Sequence, residues 1–272
     1  MPELTLSPAA FERITGLMHA TIGLSFPEHK RSLVSSRLGP RVQRLGLGSY
    51  EDYAALIDSD ADGGEFQMAV DLLTTNETYF FREPAHYALI EEVLSAEKPR
   101  SVAVWSAASS FGDEAYSTAM LLADLAQQGR IGAQWSVLGT DISDRVLQSA
   151  AQGVFPEDRL RGVSPQRLKR HCLRGEGDSE GLVQMQPGLR DRVRFGQLNL
   201  CAGFAPLGPF DIVFLRNVLI YFDPPTKSAV VDRVLAQLRP GGLFFLGTAE
   251  GRVPCATKLQ VLAPGAYRKV EA

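Results

Sequence analysis

Apolar residues recur every three to four positions through the first 73 residues of the chain, and this spacing predicts a helical N-terminal region. Glycines and a polar stretch at residues 60–63 divide the region, as is typical of turns between packed helices. The helices are expected over residues 8–19, 28–44, 50–56 and 64–73.

The second of these helices combines an apolar face with a basic one. Its apolar positions are Leu33, Val34, Leu38, Val42 and Leu45. Its basic residues are Lys30, Arg31, Arg37, Arg41 and Arg44. The basic face is either an ordinary solvated surface or a docking surface for an acidic partner helix. Because Pro40 cannot donate an N–H and clashes with the preceding turn, a break or kink is expected between Arg37 and Arg41.

The pattern changes at residue 101, where an apolar run over residues 101–106 precedes a loop of small residues and a helix over residues 114–127. Strand, tight loop and helix in this order predict a parallel α/β unit whose loop receives a nucleotide-like ligand. Gly112 is the only glycine of the loop, and Asp113 and Glu114 follow it, so a pyrophosphate is disfavoured. A phosphate-free cofactor with a cationic end, such as S-adenosylmethionine, is favoured. Alternatively, the two acids only complement the helix dipole.

A second strand is predicted over residues 135–140, followed by Asp141 and a helix over residues 143–153. A carboxylate at the tip of the second strand is where α/β nucleotide sites bind the ribose hydroxyls. The alternative is that Asp141 caps the following helix, although Ser143 can serve as that cap.

Residues 154–197 interrupt this alternation of strands and helices. Short alternating patterns at residues 182–184 and 193–195 predict antiparallel strands, and a small β-insertion is assigned to residues 163–194. Its edge either binds an extended peptide by strand addition or is an inert elaboration. Further on, the elements predicted are a strand ending at residues 199–200, a strand over 210–215, a helix carrying Val230 to Leu238, a turn at 239–242, a strand over 243–248 and an antiparallel strand over 266–270.

The segment over residues 74–90 joins the helical region to the first strand and is too aromatic for a solvated linker. Tyr79, Phe80 and Phe81 are expected to be buried, and the polar side chains between and around them need partners. A connector that packs over the ligand site satisfies both requirements.

Composition narrows the function. The chain has 272 residues, 45% of them hydrophobic, and a net charge of −3, which suits a globular protein of two domains and argues against general nucleic-acid affinity. The N-terminus has no secretory pattern and no apolar run reaches about 18 residues, so a cytoplasmic protein without membrane insertion is expected. The 3 cysteines and 4 histidines are scattered, so no disulfide framework and no metal site are predicted.

Six sequence blocks, in order, resemble the chemotaxis receptor glutamate methyltransferases (CheR). The blocks are KRSLVSSRL (30–38), LTTNETYFFRE (73–83), WSAASSFGDEAYS (105–117), TDIS (140–143), NL (199–200) and FLRNVLIYF (214–222). The resemblance implies an α/β fold with a Rossmann-like S-adenosylmethionine methyltransferase sheet, an N-terminal all-α domain and a small antiparallel β-subdomain insertion. The implied limits are 1–73 for the helical domain, 74–90 for a linker that contributes to the cofactor site, and 91–272 for the methyltransferase domain.

The resemblance also implies site residues at the matching positions. The cofactor contacts would be Asn76, Thr78, Arg82, Glu114, Asp141, Asn199, Leu200, Arg216 and Asn217. The residues near the transferred methyl group would be Arg82, Arg216 and Tyr221. The family usually has two glutamates where this chain has Asp113 and Glu114, and Glu114 is the one assigned to the site.

The implied reaction moves a methyl group from S-adenosylmethionine to glutamate side chains on cytoplasmic helices of chemoreceptors, forming γ-glutamyl methyl esters and S-adenosylhomocysteine. Glutamate is ionised at neutral pH, with a pKa of about 4.3, so the reaction needs no general base. The implied partners are the acidic receptor helices, through the basic helix, and a receptor-tail or regulator peptide at the β-insertion. The alternatives are a methyltransferase for another acceptor and a binding module without catalysis.

Overall fold

The computed structural model describes residues 4–60, 63–251 and 254–270. The α-helices are α1 (Pro8–Ile22), α2 (Arg31–Arg44), α3 (Tyr50–Ser59), α4 (Gly64–Leu73), α5 (Pro84–Glu97), α6 (Asp113–Gln127), α7 (Asp144–Gln152), α8 (Pro165–His171), α9 (Pro187–Arg190) and α10 (Pro224–Leu235). The strands are β1 (Ser101–Ala107), β2 (Gln134–Asp141), β3 (Val154–Pro156), β4 (Cys172–Arg174), β5 (Leu182–Met185), β6 (Val193–Gln197), β7 (Phe210–Leu215), β8 (Leu238–Leu246), β9 (Leu259–Ala263) and β10 (Ala266–Lys269).

Helices α1 to α4 pack around their own apolar core, as the helical spacing predicts. The core includes Phe11, Ile14, Met18 and Tyr53, each at most 3% exposed. Serine side chains cap α1 and α3 by accepting hydrogen bonds from first-turn amides, which satisfies groups that the helix itself leaves free. The predicted all-α region at the N-terminus is confirmed.

Helix α2 continues through Pro40, so of the break or kink predicted between Arg37 and Arg41 the break is wrong. The ring of a proline clashes with the Cβ of the preceding residue and so disfavours a helical conformation there. In α2 the preceding residue is Gly39, which has no Cβ. Glycine also leaves room for the next helix. A Cβ at Gly39 would lie 3.0 Å from the hydroxyl of Tyr50, which donates a 2.9 Å hydrogen bond to the Ser35 carbonyl.

The central sheet has the strand order β6-β2-β1-β7-β8-β10-β9. Strands β6, β2, β1, β7 and β8 run parallel to one another, whereas β10 is antiparallel to β8 and β9. Helices α5 and α6 cover one face and α10 covers the other. Strand order reverses between β1 and β7, and in α/β sheets of this kind ligands bind beyond the carboxyl ends of the strands at such a point.

Two elements of the central region differ from the sequence prediction. A helix, α5, begins at Pro84 inside the segment expected to be a linker; Tyr87, Ile90 and Leu94 supply its buried face. Strand β8 begins at Leu238, so the predicted turn over residues 239–242 lies inside a strand. Its pairing with β7 shifts register between Phe210 and Ile212, and this irregularity accommodates Gly241 and Gly242 within the strand.

A second, antiparallel sheet has the order β3-β5-β4, as the predicted β-insertion requires. It differs from the expected range of residues 163–194 at both ends. Strand β3 lies earlier, at Val154–Pro156, and Val193 belongs to β6, which pairs in parallel with β2 of the central sheet. Alternation with a period of two predicts a strand but not the sheet that it joins. No helix among the described residues is long and apolar enough to span a membrane.

Candidate active site

A cavity opens at the carboxyl ends of four neighbouring strands, β6, β2, β1 and β7. Residues that directly follow each of these strands form much of its wall, and the segment after α4 closes one side. All ten residues predicted for the site line this one cavity: Asn76, Thr78, Arg82, Glu114, Asp141, Asn199, Leu200, Arg216, Asn217 and Tyr221. The structure therefore brings them together, and their contact with a cofactor stays a prediction.

The loop after β1 holds unusual backbone conformations where it meets the cavity. Ala108 and Ser110 have φ angles of 67° and 51°, a left-handed region that costs energy for residues other than glycine. Gly112 has a φ of 89° and no room for a side chain, since a Cβ there would lie 3.0 Å from Ala150 and from Phe195. The loop brings its backbone to the cavity wall while using only one glycine.

Asp141 ends β2 and is 7% exposed. Its carboxylate accepts hydrogen bonds from the backbone N–H of Ser110 at 2.8 Å and of Ser143 at 3.0 Å, which fix its orientation. Burial raises the pKa of Asp141 against these backbone hydrogen bonds. The N-cap of α7 is Ser143, whose hydroxyl accepts from Val146 N–H, so the helix does not depend on Asp141 as its cap.

Asp113 and Glu114 are adjacent in sequence but have different partners. Asp113 is fully buried and forms a bidentate ion pair with Arg159, at 2.7 and 2.9 Å. Glu114 lines the cavity, where it accepts from the Ser106 hydroxyl at 2.6 Å and from Arg216 Nε at 2.6 Å. Asp113 therefore attaches α6 to the segment after β3, and the carboxylate available to the cavity is that of Glu114.

Arg216 is a buried cation at the centre of a hydrogen-bond network, with a side chain that is 2% exposed. Besides Glu114, it donates to the Arg82 carbonyl at 2.7 Å and lies 3.6 Å from a Glu83 oxygen. Burial is the largest single effect and opposes its charge, but Glu114, Tyr87 and Glu83 together outweigh it, so the pKa of Arg216 is raised. Arg216 thus joins α6 to the segment that carries Arg82.

Arg82 and Tyr221 also line the cavity and are partly exposed. The Arg82 guanidinium donates to the Glu77 carbonyl at 3.2 Å and lies 5.6 Å from the centre of the Tyr79 ring.

Of the three aromatic residues expected to be buried, Phe80 is 1% exposed and Phe81 is half-buried, but Tyr79 is 53% exposed and the prediction for it is wrong. Tyr79 lies at the surface, where the Arg82 guanidinium covers its ring and forms a cation–π contact with it.

Two family models together match most of the chain. The model described as CheR methyltransferase, all-alpha domain, matches residues 9–74, and the model described as CheR methyltransferase, SAM binding domain, matches residues 76–263. The chain belongs to the CheR methyltransferase family. The family and the fold class expected from the sequence are therefore confirmed.

Curated CheR relatives are similar over nearly the same span. A chemotaxis protein methyltransferase of Klebsiella aerogenes is 41% identical over 248 residues, which is 91% of this chain and 84% of the relative. The corresponding Escherichia coli K12 protein is 40% identical, over 91% of this chain and 86% of the relative. Chemotaxis protein methyltransferase 2 of Pseudomonas aeruginosa is 39% identical, over 89% of this chain and 86% of the relative.

In this CheR chain the helical region also forms part of the cavity wall, which the sequence analysis missed. Ile22 and Leu24, at and beyond the end of α1, line the cavity. The side-chain amide of Asn199 donates to the Thr21 carbonyl at 2.7 Å and holds this end of α1 against the sheet edge. A Cβ on the intervening Gly23 would lie 2.5 Å from the Cys201 sulfur, so the close approach requires glycine here.

The basic face of α2 is partly used inside the molecule. Arg37 donates to the Leu73 carbonyl at 2.7 Å and to the Thr75 hydroxyl at 2.9 Å, and Arg41 pairs with Glu65, with Nε 3.0 Å from Oε1. These two arginines hold α2 to α4 and to the segment that follows it. The other basic residues face outward: Lys30 and Arg44 are exposed, and Arg31 pairs with Glu28 at the surface.

The fit of a cofactor can be tested on the polar atoms of the wall. The Ser109 hydroxyl is buried and has no hydrogen-bond partner within the described residues, although it lines the cavity. Asp141 and Glu114 add two carboxylates, while the wall has no glycine-rich phosphate loop. These groups suit a ligand with hydroxyls and positive charge. Over residues 4–60, 63–251 and 254–270, no group of three His, Cys, Asp or Glu side chains is arranged to hold a metal ion.

Proposed function

We propose that this chain is an S-adenosylmethionine-dependent O-methyltransferase that forms γ-glutamyl methyl esters on cytoplasmic helices of chemoreceptors. The observation that supports it is the single cavity that is lined both by the buried acids Asp141 and Glu114 and by the partly exposed Arg82 and Tyr221. In this proposal residues 1–73 are a helical domain, residues 74–90 a linker to the cofactor site, and residues 91–272 the methyltransferase domain. The proposed site of action is the cytoplasm.

S-adenosylmethionine supplies an electrophilic methyl group on a sulfonium when bound. Asp141 would bind the ribose hydroxyls, and Glu114, held by Arg216, would complement the positive charge of the amino acid end. The other proposed cofactor contacts are Asn76, Thr78, Arg82, Asn199, Leu200 and Asn217. The product left in the site would be S-adenosylhomocysteine.

The protein's part in the reaction is to orient the acceptor and to exclude water. A glutamate carboxylate is already ionised at neutral pH, so no side chain has to remove a proton. Charge disperses as a carboxylate attacks a sulfonium, and a dry site favours that change. An arginine that gripped the attacking oxygen would stabilise the ground state more than the transition state. Arg82 and Arg216 therefore act as orienting groups, and Tyr221 contacts the methyl group or the acceptor.

The proposal is tested with cofactor carrying a tritiated methyl group and purified receptor cytoplasmic fragments. We expect protein-bound label that mild alkali releases as volatile methanol, because methyl esters hydrolyse under these conditions and N-methyl groups do not. A fragment whose acceptor glutamates are replaced by alanine is the matched control. Label that resists alkali would identify another acceptor class, and absence of label together with tight binding of S-adenosylhomocysteine would indicate a binding module.

We further propose that the outward-facing basic residues on and before α2 guide the acidic receptor helices to the site. Lys30→Glu combined with Arg44→Glu should lower the methylation rate about 3- to 10-fold at low salt, because charge complementarity mainly raises association rates. The matched control is Lys98→Glu with Arg100→Glu, at the opposite, amino edge of the sheet. Affinity for S-adenosylhomocysteine should be unchanged in both. Equal rates for the two variants across a salt series would remove α2 from the docking surface.

The small sheet is proposed to bind a receptor-tail or regulator peptide. Strand β4 is an edge strand of that sheet, and Leu173 on it is 46% exposed. An edge strand offers free backbone groups to an extended peptide, and the exposed leucine offers it an apolar contact. The test compares the methylation rates of receptor fragments with and without their C-terminal tails. A bound tail makes the two rates differ, whereas an inert edge strand gives equal rates.

A further inference from the structure

Glu250 holds the backbone of the segment that carries Asn217 and Tyr221, although it does not itself line the cavity. Its carboxylate accepts from Asn217 N–H at 2.9 Å and from Leu219 N–H at 2.8 Å. It also accepts from Gly247 N–H, at 2.8 Å, in its own turn. One partly buried carboxylate therefore joins the ends of β7 and β8, and hydrogen bonds to a charged acceptor are roughly twice as strong as neutral ones.

The segment that Glu250 holds is strained. Asn217 has a φ of 60°, a left-handed conformation that persists in a residue other than glycine only when its surroundings fix it. The two segments also lie very close together, since a Cβ on Gly247 would be 2.7 Å from the Asn217 side-chain nitrogen. The hydrogen bond that Glu250 accepts from Asn217 N–H helps to offset the cost of this conformation.

Glu83 holds the same turn from the other side. One of its oxygens accepts from the Thr248 backbone at 3.1 Å, and the other lies 3.2 Å from His86 Nδ1 and 3.6 Å from Arg216. Glu83 also has a left-handed conformation, with a φ of 58°, and it directly follows Arg82. The turn over residues 247–250 is thus attached both to the segment of Tyr221 and to the segment of Arg82.

We infer that Glu250 is a positioning residue for methyl transfer, and that with Glu83 it sets the relative placement of Tyr221 and Arg82 on the acceptor side of the cavity. The inference rests on the proposed function, because it concerns the acceptor of that reaction. Among the proposed cofactor contacts Glu250 holds Asn217 directly, but Asp141, which would bind the ribose, is held by Ser110 and Ser143 instead. Loss of Glu250 should therefore affect transfer much more than cofactor binding.

The test compares Glu250→Gln, Glu250→Asp and the wild type in the full chain. Glutamine replaces one acceptor oxygen with an NH2 group that faces N–H donors, whereas the shorter aspartate still accepts from one of the two segments. Titration with S-adenosylhomocysteine gives the dissociation constant and counts the folded sites. We expect E250Q to lower kcat per site about 10- to 100-fold, with a dissociation constant within about 3-fold of the wild type, and E250D to be intermediate. The control is Glu91→Gln, which removes a carboxylate from a surface ion pair with Arg130.

Amide hydrogen exchange of residues 216–222 gives a readout that does not need the reaction. E250Q should lose protection there and keep it over residues 141–150, whereas E91Q should match the wild type in both. A kcat per site equal to that of the wild type, or unchanged protection of residues 216–222, would overturn the inference. If the wild type forms no methyl ester, the proposed function fails, and hydrogen exchange alone decides whether Glu250 holds this segment.

Discussion

Asp141→Ala is expected to weaken binding of S-adenosylhomocysteine by about 2–4 kcal/mol, which is roughly a 30- to 1,000-fold rise in the dissociation constant. The carboxylate is buried and oriented by two backbone N–H groups at 2.8 and 3.0 Å. Two hydrogen bonds from ribose hydroxyls to such a charged acceptor would contribute about 1.5–3 kcal/mol each. Alanine also leaves the Ser110 and Ser143 amides without their acceptor, which loosens the loop. Isothermal titration calorimetry measures the change.

The matched control for this prediction is Asp144→Ala, which removes the same charge three residues later, in the first turn of α7. Asp144 does not line the cavity, so the affinity of the Asp144→Ala variant for S-adenosylhomocysteine should stay within about 3-fold of the wild type. Asp141→Asn should be intermediate, because the amide keeps one acceptor oxygen. If the two alanine variants bind equally well, the ribose is bound elsewhere and Asp141 only braces the loop at Ser110.

Two of the ten residues assigned to the cavity, Glu114 and Asp141, were predictable from local patterns, because these patterns mark the ends of parallel strands. The run before residue 107, the single Gly112 and the acid after residue 140 each identify a strand that ends in a loop. In a parallel sheet these ends meet at one edge, so short patterns far apart in sequence predict one site. The resemblance to CheR then added the other eight positions, which no periodicity marks.

The parts that were not predictable depend on contacts between distant residues. The partner of Asp113 is Arg159, 46 residues away, and a bidentate pair of this kind has no local signature. The same is true of Glu250, which binds backbone groups 33 and 31 residues away. Ile22 and Leu24 line the cavity only because the helical region packs against the sheet edge. Helix α5 did have a local signal, namely Pro84 followed by Tyr87, Ile90 and Leu94 at helical spacing.

Arg216→Met is expected to destabilise the fold by about 3–5 kcal/mol, because it leaves Glu114 and the nearby Glu83 as uncompensated charges in a buried site. The Arg216 side chain is 2% exposed, and its Nε lies 2.6 Å from a Glu114 oxygen. For a chain of this length each kcal/mol lowers Tm by about 2–4 °C, so the melting temperature should fall by about 6–20 °C. Thermal unfolding followed by circular dichroism measures it.

A second variant separates the charge from the packing. Glu114→Gln combined with Arg216→Met removes both members of the ion pair, so it should recover a large part of the lost stability, since the main cost of the single change is the unpaired carboxylate. Arg216→Lys keeps the charge but has one donor nitrogen where arginine uses two, Nε toward Glu114 and Nη1 toward the Arg82 carbonyl, and should fall between the wild type and Arg216→Met. If the double variant is no more stable than Arg216→Met, the loss comes from the packing of the guanidinium against Tyr87 and Phe214, whose ring centres lie 5.6 and 5.2 Å away. If charge holds the network together, the double variant must be more stable than Arg216→Met alone.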